Sequence, residues 1–281
     1  MILSMQDFHF RNIYGQEETF KMYKNAGFEG IDFSFNMLGN GTAIDLDNHI
    51  EKANESKRLL NKYGLVCNQG HAPFSLKYGE ELSEGNKNFL DVVKSLEYAS
   101  IIGAKRVVVH AIKVPMGEDF ITYNYKYYKL LEPYAKKFGV QIAVENLLNS
   151  KFWLPAKLSG FIKMLDSEAF CACVDVGHAA IVGIEPESFI SGMDKGMIGC
   201  IHMHDTDGQL DRHWIPYQGN HNWEQIIRSL VEYGFKGDMN LEIIHSFDNL
   251  PVDLYPALLD YTAKVGKYLM KKFIEIEGEN K

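Results

Sequence analysis

Short β-rich runs alternate with amphipathic helical stretches from end to end, and no other feature constrains the fold as strongly. The runs cover residues 2–5, 30–33, 66–70, 106–110, 141–145, 171–175, 198–202 and 239–242, which makes eight. Between them, apolar residues fall at helical spacing over 46–63, 86–102, 123–138, 155–165, 186–194, 223–233 and 255–274. In 46–63, for example, Ile50, Ala53, Leu59 and Leu60 recur with charged residues between them. The chain repeatedly announces a helix exit just before a strand: Ala26-Gly27-Phe28, Tyr63-Gly64-Leu65, Ile102-Gly103-Ala104, Phe138-Gly139-Val140 and Tyr233-Gly234-Phe235. A glycine after an apolar helical turn is what a left-handed C-cap requires. Alternation of this kind implies parallel strands joined by right-handed crossovers. Eight units favour closure into a single (βα)8 barrel over an open sheet. The first strand lacks the G-x-G-x-x-G turn of a dinucleotide fold.

Bulk properties narrow the function classes. The 281 residues, 46% hydrophobic and 23% charged, suit one domain spanning 1–281 with a large core. No linker, low-complexity segment or charge run marks a boundary. The longest apolar stretches are strand-length, far short of a membrane span. The first residues carry neither a basic segment nor an apolar one following it, so no secretory signal is read. Cys67, Cys171, Cys173 and Cys200 form no C-x-x-C pair and sit in apolar runs, which points to reduced, buried thiols and a cytoplasmic enzyme. A formal charge of −8 argues mildly against a nucleic-acid partner, although an acidic protein can hold a local basic groove. Outer-helix patches cannot be separated from core by pattern, so a homo-oligomer stays open.

In a barrel, functional side chains gather at the C-terminal ends of the strands. Here six consecutive strands end in a histidine or an acid: Gly70-His71, Val109-His110, Val144-Glu145, Val174-Asp175 with His178 following, Ile201-His202-Met203-His204-Asp205, and Leu241-Glu242. A lone histidine at a strand end is more often a hydrogen-bonded structural residue than a ligand. Six in succession at one mouth call for another explanation, because buried carboxylates are costly unless paired or bound to a metal. A donor set of two Glu, one Asp and one His suits Mn2+, Mg2+, Co2+ or Zn2+ without choosing among them. Asp211-Arg212-His213 after strand seven presents a second carboxylate and imidazole, or else a polar surface turn.

These stretches, above all Val144-Glu145-Asn146, Asp175-Val176-Gly177-His178 and His202-Met203-His204-Asp205-Thr206-Asp207-Gly208, resemble the xylose-isomerase-like TIM-barrel superfamily over nearly the whole chain. That superfamily includes sugar and sugar phosphate isomerases and epimerases, and the endonuclease IV type of apurinic endonuclease. For the epimerase branch the resemblance implies a metal held by Glu145, Asp175, His202 and Glu242, with His178 contacting substrate. For the endonuclease branch it implies three zinc ions, with ligands matching His71, His110, Glu145, Asp175, His178, His202, Asp211, His213 and Glu242. Two features favour the sugar enzymes: Glu145-Asn146 is followed by Leu-Leu-Asn-Ser-Lys-Phe-Trp153 rather than a Gly-rich turn, and both His-Met-His-Asp-Thr-Asp-Gly and His-Ala-Pro-Phe read as theirs.

Charge around the expected mouth points the same way. Arg11, Lys77, Lys113, Lys151 and Arg212 face a larger number of acids, among them Asp45, Asp47, Glu80, Glu81, Glu84, Glu118, Asp119 and Asp248. Backbone phosphates need neutralising at a binding face, so duplex DNA would approach this one poorly, whereas a small sugar would not. Phe8, Phe35, Phe74, Trp153, Trp214 and Tyr217 would wall a small pocket, or serve as half-buried loop anchors. The expected activity is a metal-dependent isomerase or epimerase acting through an enediolate. Glu145 and Glu242 are its proton-transfer pair, and His178 and Arg212 orient hydroxyls. His71, His110, Asp211 and His213 would bind substrate or additional metal. The alternatives are the zinc-dependent abasic-site endonuclease and a related dehydratase acting on a polyol or inosose.

Overall fold

A computed structural model describes residues 1–35, 47–74, 76, 80–148 and 150–279. The elements are β1 (Leu3–Gln6), α1 (Phe8–Ala26), β2 (Gly30–Ser34), α2 (His49–Tyr63), β3 (Val66–His71), α3 (Lys87–Ile102), β4 (Arg106–Val109), α4 (Phe120–Phe138) and β5 (Gln141–Glu145). Then follow α5 (Pro155–Leu165), β6 (Phe170–Asp175), α6 (Val176–Ile181), α7 (Pro186–Gly192), β7 (Ile198–His202), α8 (Trp223–Tyr233), β8 (Met239–Leu241), a 3-10 turn (Val252–Leu254) and α9 (Tyr255–Glu279). All strand pairs are parallel and run β7-β6-β5-β4-β3-β2-β1-β8. The two edges meet just past β7, where Met203 bridges to Leu241. Its N–H reaches Asn240 O at 2.9 Å, and Glu242 N–H returns to Met203 O at 3.1 Å. The sheet is thus a nearly closed (βα)8 barrel.

The glycine exits work as their sequence context requires. Gly27, Gly64, Gly103, Gly139 and Gly234 all sit at φ between 62° and 98°. After each, the next apolar residue sends its N–H back to a carbonyl five positions earlier: Phe28 to Tyr23, Leu65 to Leu60, Ala104 to Ala99, Val140 to Ala135 and Phe235 to Leu230. This double bond turns each chain abruptly from helix to strand. Two helices lay outside the periodic reading. The kink at Gly15 (φ 73°, ψ 169°) breaks the apolar period of α1, and α6 is too short to show one. Residue 46, at the expected start of α2, lies outside the described residues, as do Asp45 and Lys77.

Two cores result. The larger packs outward-facing strand residues such as Val107, Ile142, Ala172 and Ile201 against the helices. The smaller fills part of the barrel's interior with Val108, Ala143, Cys171, Cys173 and Cys200. All four cysteines are free and buried. Among the described residues no helix is long and apolar enough to cross a membrane.

Candidate active site

Successive side chains on a strand point to opposite faces. The rows that line the barrel therefore end, at its C-terminal mouth, in Gln6, His71, His110, Glu145, Asp175, His202, His204 and Glu242. The pairing register sets the neighbours: Glu145 lies opposite Cys173, and Asp175 opposite His202. Ligating atoms of Glu145, Asp175, His202 and Glu242 all fall within 4.8 Å of one another, and all four residues are buried. His202 Nδ1 is 3.2 Å from Glu145 Oε1, 3.1 Å from Glu242 Oε2 and 3.8 Å from Asp175 Oδ2.

Three further groups adjoin this quartet, one of them His204, His213 and Glu242. His71 and His110 approach Glu145 from the other side, with His110 Nε2 2.7 Å and His71 Nε2 4.0 Å from its Oε2. Asp211 is flanked by His178 Nε2 at 3.3 Å and His213 Nε2 at 3.1 Å. All three trios meet the geometric requirement for a shared cation. The donor chemistry fits divalent metals. Three carboxylates converge on one imidazole out of contact with water, and Glu145 Oε2, Asp211 Oδ1 and His178 Nδ1 are buried without a regular hydrogen bond. Buried carboxylates in this number are stabilised by pairing with the surrounding histidines or by a bound cation, and the donor set suits either.

The electrostatics sort the histidines. Burial, aided by neighbouring His110, pushes His71 down to about 4, so at neutral pH its ring is uncharged and able to ligate. Burial also opposes charge on His178, yet Asp175, Asp211 and Glu145 together lift it to about 10. His213, lifted by Glu242 and Asp211 against the same burial, reaches about 9. Burial would raise both glutamates, but His110 and His202 hold Glu145, and His202 and His213 hold Glu242, well below the usual carboxylate range. Both are ionised bases at neutral pH.

Reading the strand ends one by one missed several residues. His204 lies two positions past His202 and therefore on the same face; its Nε2 sits 3.0 and 3.1 Å from the two Asp175 oxygens. Its ring stacks on His213 with centroids 4.1 Å apart. Gly177 makes room for that ring: a Cβ there would lie 2.0 Å from His204 Cε1. Asp205, facing the other way, anchors the loop that carries Asp211 and His213. It accepts from the backbone N–H of Thr206, Tyr217 and His221, from His221 Nδ1, and from Trp223 Nε1 at 2.8 Å. His213 itself holds a left-handed φ of 45°, a conformation a non-glycine residue adopts only when its surroundings impose it. Gln6 Nε2 donates to Glu242 Oε1 at 2.7 Å. The H-x-H alternation was the available signal for His204; an inward carboxamide leaves none.

Other expected site residues fall elsewhere. Arg212 turns from the cluster to pair with Asp207 at 2.9 Å and lie over Trp214, because the loop's own acid is the nearer partner. Phe35 packs into the core with Phe33 and Tyr98, and Phe8 is buried too. Tyr217 leans on Trp223 and Tyr268, outside the barrel. Phe74, 66% exposed, stands 5.1 Å from His110 at the rim, and Trp153 is 40% exposed.

Comparison with known proteins fits this architecture. Residues 20–264 match the model of the family described as xylose isomerase-like TIM barrel. An uncharacterized protein of Methanocaldococcus jannaschii is 26% identical over 221 residues, 74% of this chain and 70% of that protein. Another from Sinorhizobium fredii is 24% identical over 260 residues, 81% of each. In fold the chain is similar to a D-tagatose 3-epimerase-like protein, with a TM-score of 0.77, 20% identity and coverage of 100% of this chain and 99% of the other. L-ribulose 3-epimerase gives a TM-score of 0.73 at 15% identity, covering 99% and 96%. The 3-keto-D-glucoside 4-epimerase of E. coli gives 0.71 at 16%, covering 94% and 99%. This chain belongs to the xylose isomerase-like TIM-barrel family.

Proposed function

We propose that the protein is a metal-dependent isomerase or epimerase of a small sugar or sugar phosphate, moving a proton on a carbon next to a carbonyl. The observation that carries this reading is the placing of Glu145 and Glu242. They reach one point from β5 and from the end of β8, both ionised and both at Nδ1 of His202. A divalent cation held by Glu145, Asp175, His202 and Glu242 would polarise the carbonyl and a neighbouring hydroxyl, acidifying the C–H between them. One glutamate removes that proton; the other, after taking a proton from solvent, delivers it to the opposite face for epimerisation or to the adjacent carbon for aldose–ketose isomerisation, and the first then releases its own to water. His178, protonated at neutral pH, donates to a substrate oxygen. His204 keeps Asp175 in place, and Gln6 engages one oxygen of Glu242 so that the other stays available. That the structural relatives named above include sugar epimerases supports the reading, as does the acidic mouth. The test is incubation of metal-loaded protein with a ketose panel in deuterated water: deuterium appears at the reacting carbon, and Glu145→Gln or Glu242→Gln removes it. No exchange with any ketose would overturn the assignment.

One observation favours a second reading, the zinc-dependent cleavage of abasic DNA. Among the described residues four groups of potential ligands share members, with Glu145, Glu242 and His213 each common to two, so a multinuclear centre is geometrically available. Cleavage of an abasic duplex oligonucleotide, together with three retained zinc ions and no action on ketoses, would establish that activity.

A further inference from the structure

Beneath the carboxylate quartet the barrel's interior has two unlike halves. On the side of β4 to β7 it is filled by Val108, Ala143, Cys171, Cys173 and Cys200. On the side of β8, β1, β2 and β3 it holds Asn240, Ser4, Asp32 and Gln69, all buried. These four make one hydrogen-bonded chain. Ser4 Oγ donates to Asn240 Oδ1 at 2.8 Å, Asn240 Nδ2 donates to Asp32 Oδ2 at 2.9 Å, and Gln69 Nε2 donates to the same oxygen at 2.9 Å. Amides from two other strands thus pin the Asp32 carboxylate, which cannot rotate without breaking both bonds. A merely structural acceptor for two amides needs no carboxyl group; burial pushes Asp32 up to about 7 although His202 draws it down, so the carboxylate depends on that neighbour for its charge.

What the charge faces is His202. Its Nε2 lies 3.6 Å from Asp32 Oδ2, and among the described residues this is the one carboxylate paired with that nitrogen. Its Nδ1 points the other way, to Glu145 and Glu242. A neutral imidazole carries one proton, and only the tautomer protonated at Nε2 leaves the Nδ1 lone pair free for a cation. We propose that Asp32 is a positioning residue: pinned by Gln69 and Asn240, its carboxylate favours the Nε2 proton of His202 and so presents Nδ1 to the quartet. This rests on the quartet being a cation site, but not on the identity of the substrate.

The test compares wild type, Asp32→Asn and Asp32→Leu for Mn2+ affinity, by competition with a chromophoric chelator, and for melting temperature in excess EDTA. Asparagine keeps an acceptor oxygen without the charge; leucine keeps neither. The expected loss of affinity is about 10- to 100-fold for Asp32→Leu, the range typical of partners behind a metal-bound histidine, and smaller for Asp32→Asn. In EDTA, Asp32→Asn melts no lower than wild type, because a buried charge has gone. A lower melting temperature for Asp32→Asn with wild-type affinity in both variants would mark a purely structural role and overturn the inference. Should Asp32→Leu not fold, nitrogen-15 spectra of Zn2+-loaded wild type decide, with the His202 signals identified by their loss in His202→Gln. Protonated Nε2 with bound Nδ1 supports the proposal, and the reverse overturns it. Wild-type protein that takes up no divalent cation would overturn the quartet reading and this inference together, whereas wild-type affinity in Asp32→Leu removes this inference alone.

Discussion

Gly177→Ala puts the geometry of the site to a test whose sign is in question. Gly177 lies within α6 and outside the left-handed region, so its backbone would accept alanine. Considered alone, the exchange should stabilise the chain by up to about 1 kcal/mol, since glycine is a poor helix residue. The structure predicts the reverse. The added Cβ would lie 2.0 Å from His204 Cε1, 2.6 Å from Nε2 and 2.7 Å from Nδ1, against about 3.5–4.0 Å for comfortable contact. The ring must retreat by roughly 1.5 Å to restore that contact. It stacks 4.1 Å from His213 on one side and bonds Asp175 at 3.0 Å through Nε2. Overpacking costs about 1–3 kcal/mol, and loss of a hydrogen bond to a charged group about 1.5–3 kcal/mol. The net expectation is a destabilisation of about 2–5 kcal/mol, or roughly 5–15 °C in Tm for a chain of this size. Thermal and urea unfolding in EDTA provide the assay. In a His204→Ala background the obstacle is gone, and the same alanine should become neutral or stabilising. A Gly177→Ala protein as stable as wild type, with His204 intact, would refute the packing argument.

Asp205→Asn retains one acceptor where five donors converge, so it should cost about 2–4 kcal/mol and loosen the loop bearing Asp211 and His213; unfolding midpoints measure it, and an unchanged midpoint would refute the anchoring role. The same residue predicts a pH effect. His221 and Trp223 outweigh burial and hold Asp205 down at about 2, below its ordinary 3.8, so the stability it gives is complete above about pH 4 and is lost as pH falls toward 2. The shift corresponds to about 2 kcal/mol, and denaturant titrations at pH 4 and pH 2 should show a loss larger by about that amount in wild type than in Asp205→Asn, since the other depressed carboxylates titrate in both. Glu145→Gln and Glu242→Gln should each reduce turnover by at least about a hundredfold, as expected for a lost proton-transfer group, while leaving the far-UV spectrum unchanged; activity retained in either excludes the paired-glutamate scheme. Removing the cation with EDTA should lower Tm in wild type, because a ligand bound only by the folded state stabilises it. The same treatment should have little effect on His202→Gln.

The barrel was legible because its signals are local: helix exits at Gly27, Gly64, Gly103, Gly139 and Gly234, and apolar periods between them. The candidate ligands were legible because strand ends in a barrel share one mouth, so Glu145 and Glu242, 97 positions apart in the chain, needed no contact information to be brought together. What stayed hidden depends on long-range pairing. Arg212, expected to orient substrate hydroxyls, pairs with Asp207 five residues earlier, a contact the sequence pattern does not announce. Asp32 and Asn240 look like unremarkable polar residues in strands until barrel closure brings their side chains to 2.9 Å from either side of β1. Phe35 and Tyr217 could not be told from pocket aromatics, because burial at a loop depends on what packs over it.

The central claim is that Glu145, Asp175, His202 and Glu242 grip one cation. Its most direct test is an anomalous difference map from crystals grown with Mn2+ and recorded at the manganese edge. The account predicts a peak at about 2.0–2.3 Å from Glu145, Asp175, Glu242 and Nδ1 of His202. A map with no peak there, or with manganese bound by other side chains while these four pair only with one another, would contradict it.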